Sequence, residues 1–160
     1  MKQRIALIGW GAIGQGVVRV LDALRRPDVE VVAILVRDAS TAAQAFPDRA
    51  PLFVSSLAAL LDTHPTLVCE CAGHGAVDAY AEAALLAGVD VLLVSVGALS
   101  DAARAQRLEA AAVQGNCQLS LASGAIGGLD WLVSARTAGL SRVVYRWLKP
   151  PLAWSGTVSE

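Results

Sequence analysis

Residues 4–16 read Arg-Ile-Ala-Leu-Ile-Gly-Trp-Gly-Ala-Ile-Gly-Gln-Gly, which sets Gly9, Gly11 and Gly14 after a short apolar run and before residues with helical spacing. A strand that turns at once into a helix makes a cradle for phosphate. Gly9 permits the tight turn, Gly11 carries no Cβ to hold a pyrophosphate off the backbone, and Gly14 lets the helix pack closely on the strand. The free N–H groups and the dipole of the helix then face the anion. Here Ile5–Ile8 reads as a buried strand, and Val17, Val18, Val20, Leu21 and Leu24 continue at helical period. Without that context the same glycines would be a structural turn; with it they imply dinucleotide binding.

A second group of candidates follows from where such a unit gathers its ligand, outside the carboxyl ends of the strands. The second apolar strand ends at Val36-Arg37-Asp38, roughly 20 residues past the turn. An acid at this place binds a ribose 2′-OH and an arginine accepts a 2′-phosphate, so Arg37 and Asp38 together leave both NAD and NADP open. Later strand ends run into loops of small residues: Ala72-Gly73-His74-Gly75, Val96-Gly97-Ala98 and Ser123-Gly124-Ala125. Ala72, Gly73 and Gly97 leave room for a flat ring. The stretch Ser123-Gly-Ala-Ile-Gly-Gly-Leu-Asp130 reads as a second glycine turn opening a helix, and its N–H groups at Ser123 and Gly124 suit a substrate carboxylate or carboxamide. Close strand–helix packing would explain the same small residues.

Of the two histidines, His64 precedes Pro65 in a surface loop, while His74 falls in a loop at the cofactor edge, where an acid/base role is conceivable and a capping role is the plainer reading. No metal-ligand spacing and no Ser/His/Asp arrangement can be assembled. Cys69 and Cys71 are two apart in an apolar strand, so both side chains share one face, unlike a Cys-x-x-Cys site. With Cys117 they make an odd count of three, expected as reduced packing thiols. Trp10, Trp131, Trp147 and Trp154 read as packing residues, the last two also as subunit contacts; Trp10 leaves the turn undisturbed if its side chain points outward.

These residues need a scaffold, and the hydrophobic pattern supplies one. Strand-like runs at Ile5–Ile8, Val29–Val36, Thr66–Cys71, Val89–Ser95 and Cys117–Ala122 alternate with helix-like runs at Ala12–Leu24, Ser55–Leu61, Val77–Leu86, Asp101–Val113 and Gly128–Ala138. Gly88 and Gly115 are the stop signals and Ser100 the expected N-cap; Pro47–Pro51 reads as a loop into a short strand at Leu52–Val54. The alternation predicts an α/β fold, a Rossmann-type doubly wound parallel sheet with right-handed crossovers. After about residue 140 the pattern changes: Arg142–Trp147 is a strand of mixed polarity, broken by Lys149-Pro-Pro151. Residues 1–140 are therefore expected to form the dinucleotide-binding domain, and residues 141–160 the beginning of a second, incomplete α/β domain.

Composition agrees. Apolar residues make up 55% and charged residues 17%, a balance suited to a sheet covered on both faces. A net charge of −1 offers no basic patch for nucleic acid. Met1–Arg4 followed by apolar residues imitates a secretory leader, but the glycines at 9, 11 and 14 and the lack of a small-residue cleavage site argue against one. Ala83–Leu99 is shorter than the roughly 20 residues a span needs and holds a turn at Gly88-Val89-Asp90. The expectation is a soluble, cytoplasmic protein with no membrane partner.

Taken together, Gly9-Trp-Gly-Ala-Ile-Gly14, Glu70-Cys-Ala-Gly73, Ser95-Val-Gly-Ala-Leu99, Ala122-Ser-Gly-Ala-Ile-Gly-Gly-Leu-Asp130 and Lys149-Pro-Pro151 resemble the L-aspartate dehydrogenase family over essentially the whole chain. The resemblance implies NAD(P)-dependent oxidative deamination of L-aspartate through iminoaspartate, feeding NAD biosynthesis or yielding oxaloacetate and ammonia. It also implies a homo-oligomer with an N-terminal Rossmann domain and an α/β catalytic domain. By the match, Ala12 and Ile13 flank the pyrophosphate and Ala125 lies against the cofactor. The family's catalytic histidine and a nicotinamide-holding asparagine lie downstream of the Ser-Gly-Ala-Ile-Gly-Gly-Leu-Asp stretch, and no histidine follows His74 here. The chain is thus expected to be a truncated form of the enzyme; a non-catalytic NAD(P)-binding module and a related amino-acid dehydrogenase are the alternatives.

Overall fold

The computed structural model describes residues 2–123 and 129–144. The backbone falls into two units, Met1–Ala125 and Ile126–Glu160. The first holds a six-stranded sheet: β1 (Gln3–Ile8), β2 (Val29–Leu35), β3 (Phe53–Val54), β4 (Leu67–Glu70), β5 (Asp90–Leu93) and β6 (Leu119–Leu121). The strands lie in the order β3-β2-β1-β4-β5-β6, and every neighbouring pair is parallel. This is the doubly wound order expected from the alternation, in which the chain reverses direction across the sheet between β1 and β4.

Alternation along each strand feeds two cores. Ile5 and Leu7 of β1 join Ile34, Phe53 and Cys69 under Val18 of α1 (Ala12–Leu24), with Ala42 and Ala43 of α2 (Ala39–Ala45) packed against them. Ala6 and Ile8 point the other way, to Ala33, Leu35, Val68, Val91 and Leu93. That face is covered by Leu60 of α3 (Leu57–Leu61), Leu85 of α5 (Glu82–Leu86) and Leu108 of α6 (Ala102–Gly115). Because both faces are buried, the strands carry no polar stripe. One irregularity interrupts the β1–β2 ladder: Ile5 pairs with Val31 but Ala6 with Ala33, so Val32 is a bulge.

Several boundaries differ from the sequence reading, each for a local reason. The helix expected at Val77–Leu86 begins earlier, as α4 (His74–Ala76), passes through a π-helical segment, Val77–Ala81, and continues as α5. Helix α2 was not expected: seven residues, none of them buried, give no apolar period. Its signal is the cap, where the Asp38 carboxyl accepts from the backbone N–H groups of Ser40 and Thr41. The proline loop forms a 3₁₀ helix, Pro47–Leu52, and a second one spans Val96–Ser100. Asp101, not Ser100, caps α6, accepting from Arg104 N at 3.1 Å. Nor does α6 stop before Gly115; it ends there, and Asn116 takes the left-handed cap at φ 52°.

In the second unit, α7 (Leu129–Thr137) occupies most of the expected Gly128–Ala138 helix, and Gly139 follows at φ +85°. Most of the expected Arg142–Trp147 strand, the Lys149-Pro-Pro151 break, Trp147 and Trp154 lie outside the described residues.

Candidate dinucleotide-binding site

All six strands being parallel, their carboxyl ends share one edge, and the candidate residues collect there. Gly9 follows β1 at φ +103°, a backbone conformation that glycine tolerates, and its N–H donates to Leu35 O at 2.9 Å. A Cβ on Gly9 would come within 2.8 Å of Ala72 Cβ, so the turn after β1 packs directly on the loop after β4. A Cβ on Gly14 would lie 2.4 Å from Gly9 O, which is the close strand–helix approach the motif requires. Gly11 is different. A Cβ there would meet no protein atom within 4 Å. Packing accounts for two of the glycines and leaves the third facing open ground. Ala12 and Ile13 stand beside it, exposed on the first turn of α1, and Ile13 is 51% exposed although apolar. Among the described residues no side chain caps that helix and no acid sits in its first turn.

Trp10, between two of these glycines, does not point outward. Its ring packs edge-on against Phe46 and Phe53, with centroids 5.6 and 5.5 Å away, and so belongs to the α1–α2 side of the sheet. The packing reading holds and the outward orientation does not, because two phenylalanines at the ends of α2 and β3 converge on the turn. Gln15 steadies the same turn by donating from Nε2 to Trp10 O at 3.0 Å.

At the end of β2, Arg37 is exposed, and among the described residues no hydrogen bond or ion pair is seen for it. Asp38 is engaged. Besides the two backbone donors, the hydroxyls of Ser40 and Thr41 each donate to it at 2.6 Å, and these hydroxyl and N–H bonds hold its carboxyl well below the usual carboxylate range. Arg37 is thus ready for an anion, while Asp38 already serves the helix.

Past β4 the edge is built around Glu70, which heads the Glu70-Cys-Ala-Gly73 stretch but to which the sequence assigns no role. Glu70 is 0% exposed, and its Oε1 accepts from Ala72 N and Gly73 N, both at 2.7 Å, and from Ser95 Oγ at 3.0 Å, while Oε2 accepts from Ser95 N at 3.0 Å. Four donors from two loops end on one carboxyl group. A lone acid closing an otherwise apolar strand, Leu67-Val-Cys-Glu70, is the signal that would have found it. Gly73, at φ +105°, opens α4, and His74 on its first turn lies against the second loop: a Cβ on Gly97 would be 3.1 Å from His74 Nε2. Arg104 braces that loop from behind, donating to Ala98 O at 2.5 Å and to both oxygens of Asp78.

Ser123 is exposed at the end of this edge, whereas Gly124 and Ala125 lie outside the described residues. His64 is placed before β4, at the opposite end of the sheet. A shallow cavity lined by Lys2, Asp22, Glu30 and Arg49 is also at that far end, and its charges pair with one another, Lys2 with Glu30 at 3.1 Å and Arg49 with Asp22. The thiols are inert: burial pushes Cys69 up to about 11 and Cys71 to about 12, and both pack on the α1 side, as their spacing predicted. Among the described residues no three or more His, Cys, Asp or Glu side chains form a metal-binding group, and no helix is long and apolar enough to cross a membrane.

A doubly wound parallel sheet with a glycine turn opening α1 and small-residue loops along one edge defines a Rossmann-type dinucleotide-binding domain. Residues 9–122 match the family described as homoserine dehydrogenase, NAD binding domain, and the chain belongs to that family. It is similar to the L-aspartate dehydrogenases of Ralstonia pickettii, 44% identical over 158 residues, and Pseudomonas aeruginosa, 43% identical over 160 residues. Each comparison covers 98% of this chain and 58% of the relative, so the chain spans under three fifths of their length. Among solved structures, Staphylococcus aureus homoserine dehydrogenase is 25% identical with a TM-score of 0.59, covering 76% of this chain and 32% of that one. Aspartate dehydrogenase from Thermotoga maritima, at 22% identity and a TM-score of 0.60 over 86% of this chain and 52% of that one, shares the fold.

Proposed function

We propose that this chain is the cofactor-binding part of an NAD(P)-dependent L-aspartate dehydrogenase, which oxidises L-aspartate to iminoaspartate. The observation that carries the reading is Gly11. Its neighbours in the motif are explained by packing, and its own lack of a side chain is explained by a ligand that must approach the backbone beside an uncapped helix. The full-chain similarity to L-aspartate dehydrogenases supplies the substrate.

The residues present fit a dinucleotide. Gly9, Gly11, Ala12, Ile13 and Gly14 hold the pyrophosphate; Arg37 takes a 2′-phosphate when the cofactor is NADP, while Asp38 shapes the adenosine end chiefly by fixing α2. Ala72, Gly73 and Gly97 border the nicotinamide end, with Ala125 against the cofactor. Ser123 and Gly124 receive an anionic end of the substrate. The nicotinamide supplies a hydride acceptor; the protein binds, orients and excludes water. Removing the amine proton of aspartate needs a positioned base. His74 is the candidate at this edge. Residues 141–160 open a second domain, and the enzyme assembles as a homo-oligomer.

A non-catalytic cofactor-binding module is the second reading, favoured by His74 being exposed and resting on Gly97. The test is direct. Calorimetric titration should show NADH or NADPH binding to the chain, and absorbance of reduced nicotinamide should report turnover of L-aspartate by the protein at its relatives' full length. Absence of dinucleotide binding would overturn the proposal.

A further inference from the structure

We infer that Glu70 is the positioning residue of the nicotinamide half of the site: a buried clasp that sets the distance between the loop after β4 and the loop after β5. The inference rests on the proposed cofactor site and goes beyond it, since Glu70 has no assigned role in that site. In a doubly wound sheet each half carries one mononucleotide, the first over β1–β3 and the second over β4–β6. Glu70 stands at the first carboxyl end of the second half and touches both loops that border it. A carboxyl group with no exposure and four donors has a structural purpose; a wholly apolar strand end would leave the N–H groups of Ala72, Gly73 and Ser95 without these acceptors. Glu70 holds backbone N–H groups of both loops, and His74 and Gly97 meet between them. Fixing them in advance removes the ordering cost that a ligand would otherwise meet.

The two oxygens are unequal, which makes the clasp testable. In Glu70→Gln the amide oxygen can keep the Ala72 and Gly73 bonds, so the loop that packs on Gly9 is undisturbed. The amide nitrogen then faces Ser95 N–H, donor against donor, and the second loop is released. Affinity for NADH should fall roughly tenfold, while affinity for adenosine diphosphate, which occupies only the first half and the glycine turn, should not change. Ser95→Ala removes only the hydroxyl bond and should show the same selectivity in smaller degree, which keeps the test open if Glu70→Gln folds poorly. Equal losses for NADH and adenosine diphosphate in both variants would reduce Glu70 to a general stabiliser, and unchanged NADH affinity in both would remove the clasp altogether. Amide exchange at Ser95 provides a readout free of cofactor: it should quicken roughly tenfold in Glu70→Gln. Unchanged exchange there overturns the clasp even if NADH binds, and quickened exchange in a chain that binds no dinucleotide overturns the proposed function while the clasp stands.

Discussion

The three motif glycines separate two demands that a sequence pattern merges. Gly14 is required by the protein, because any Cβ would strike Gly9 O at 2.4 Å; a Cβ on Gly11 would meet nothing within 4 Å among the described residues, so the demand on Gly11 is the one the proposed pyrophosphate makes. Opposite outcomes follow. Gly11→Val should leave the thermal midpoint within a few degrees of wild type and weaken NADH binding more than tenfold, whereas Gly14→Val should cost about 1–3 kcal/mol of stability whether or not cofactor is present. Urea unfolding alongside calorimetric titration distinguishes them, and a folded Gly11→Val with unchanged affinity would sink the phosphate-cradle assignment. Arg37 makes a similarly local prediction. A guanidinium can grip a phosphate through two bonds, so Arg37→Ala should lower NADPH affinity more than NADH affinity. Equal losses would show that it reads no 2′-phosphate.

Legibility at the level of elements follows the source of each element's stability. Helix α1 and strands β1, β2, β4 and β5 were readable because apolar residues bury on one or two faces, and burial leaves a period. Helix α2 was not, because its stabilising contacts are polar and lie at its first turn; in the sequence Asp38 reads instead as an acid at a strand end, suited to a ribose 2′-OH. The same economy hid Glu70, whose partners are backbone groups that carry no residue identity. The cap has a pH signature. Since the carboxyl of Asp38 is held below its ordinary value in the fold, its contribution is fully present above the unfolded value of about 3.9 and drains away as pH falls below it. Asp38→Asn, also a good N-cap, should lose part of that acid sensitivity: its midpoint between pH 5 and pH 2.5 should fall less than that of the wild type, and parallel curves would deny Asp38 the role. At the far side of the sheet, α5 and α6 meet through Gly115, where a Cβ would lie 1.8 Å from Leu85 O. Gly115→Ala should therefore lower the unfolding free energy measured by urea titration by about 3 kcal/mol, a loss that no repacking of side chains can relieve because the obstacle is backbone.

The whole edge of the sheet determines what chemistry remains possible. On the proposed reading, backbone and glycine hold the phosphates, but proton removal from aspartate needs a titratable group with free lone pairs. Along this edge Glu70 has its oxygens taken by four donors, Cys71 is a half-buried thiol pushed up to about 12, and Asp38 is engaged by its own helix. Among the described residues of this edge His74 is the remaining candidate, and it is exposed. A positioned acid/base is worth on the order of 10²–10⁴ in rate. The chain as it stands should therefore bind the dinucleotide and produce reduced cofactor from L-aspartate at least 10²-fold more slowly than an L-aspartate dehydrogenase of its relatives' full length. Following absorbance of the reduced nicotinamide with either cofactor measures this, and the His74→Ala variant decides the origin of any activity. Turnover comparable to the longer enzyme that disappears in His74→Ala would make His74 the base; a slow rate indifferent to His74→Ala would place the base outside this edge.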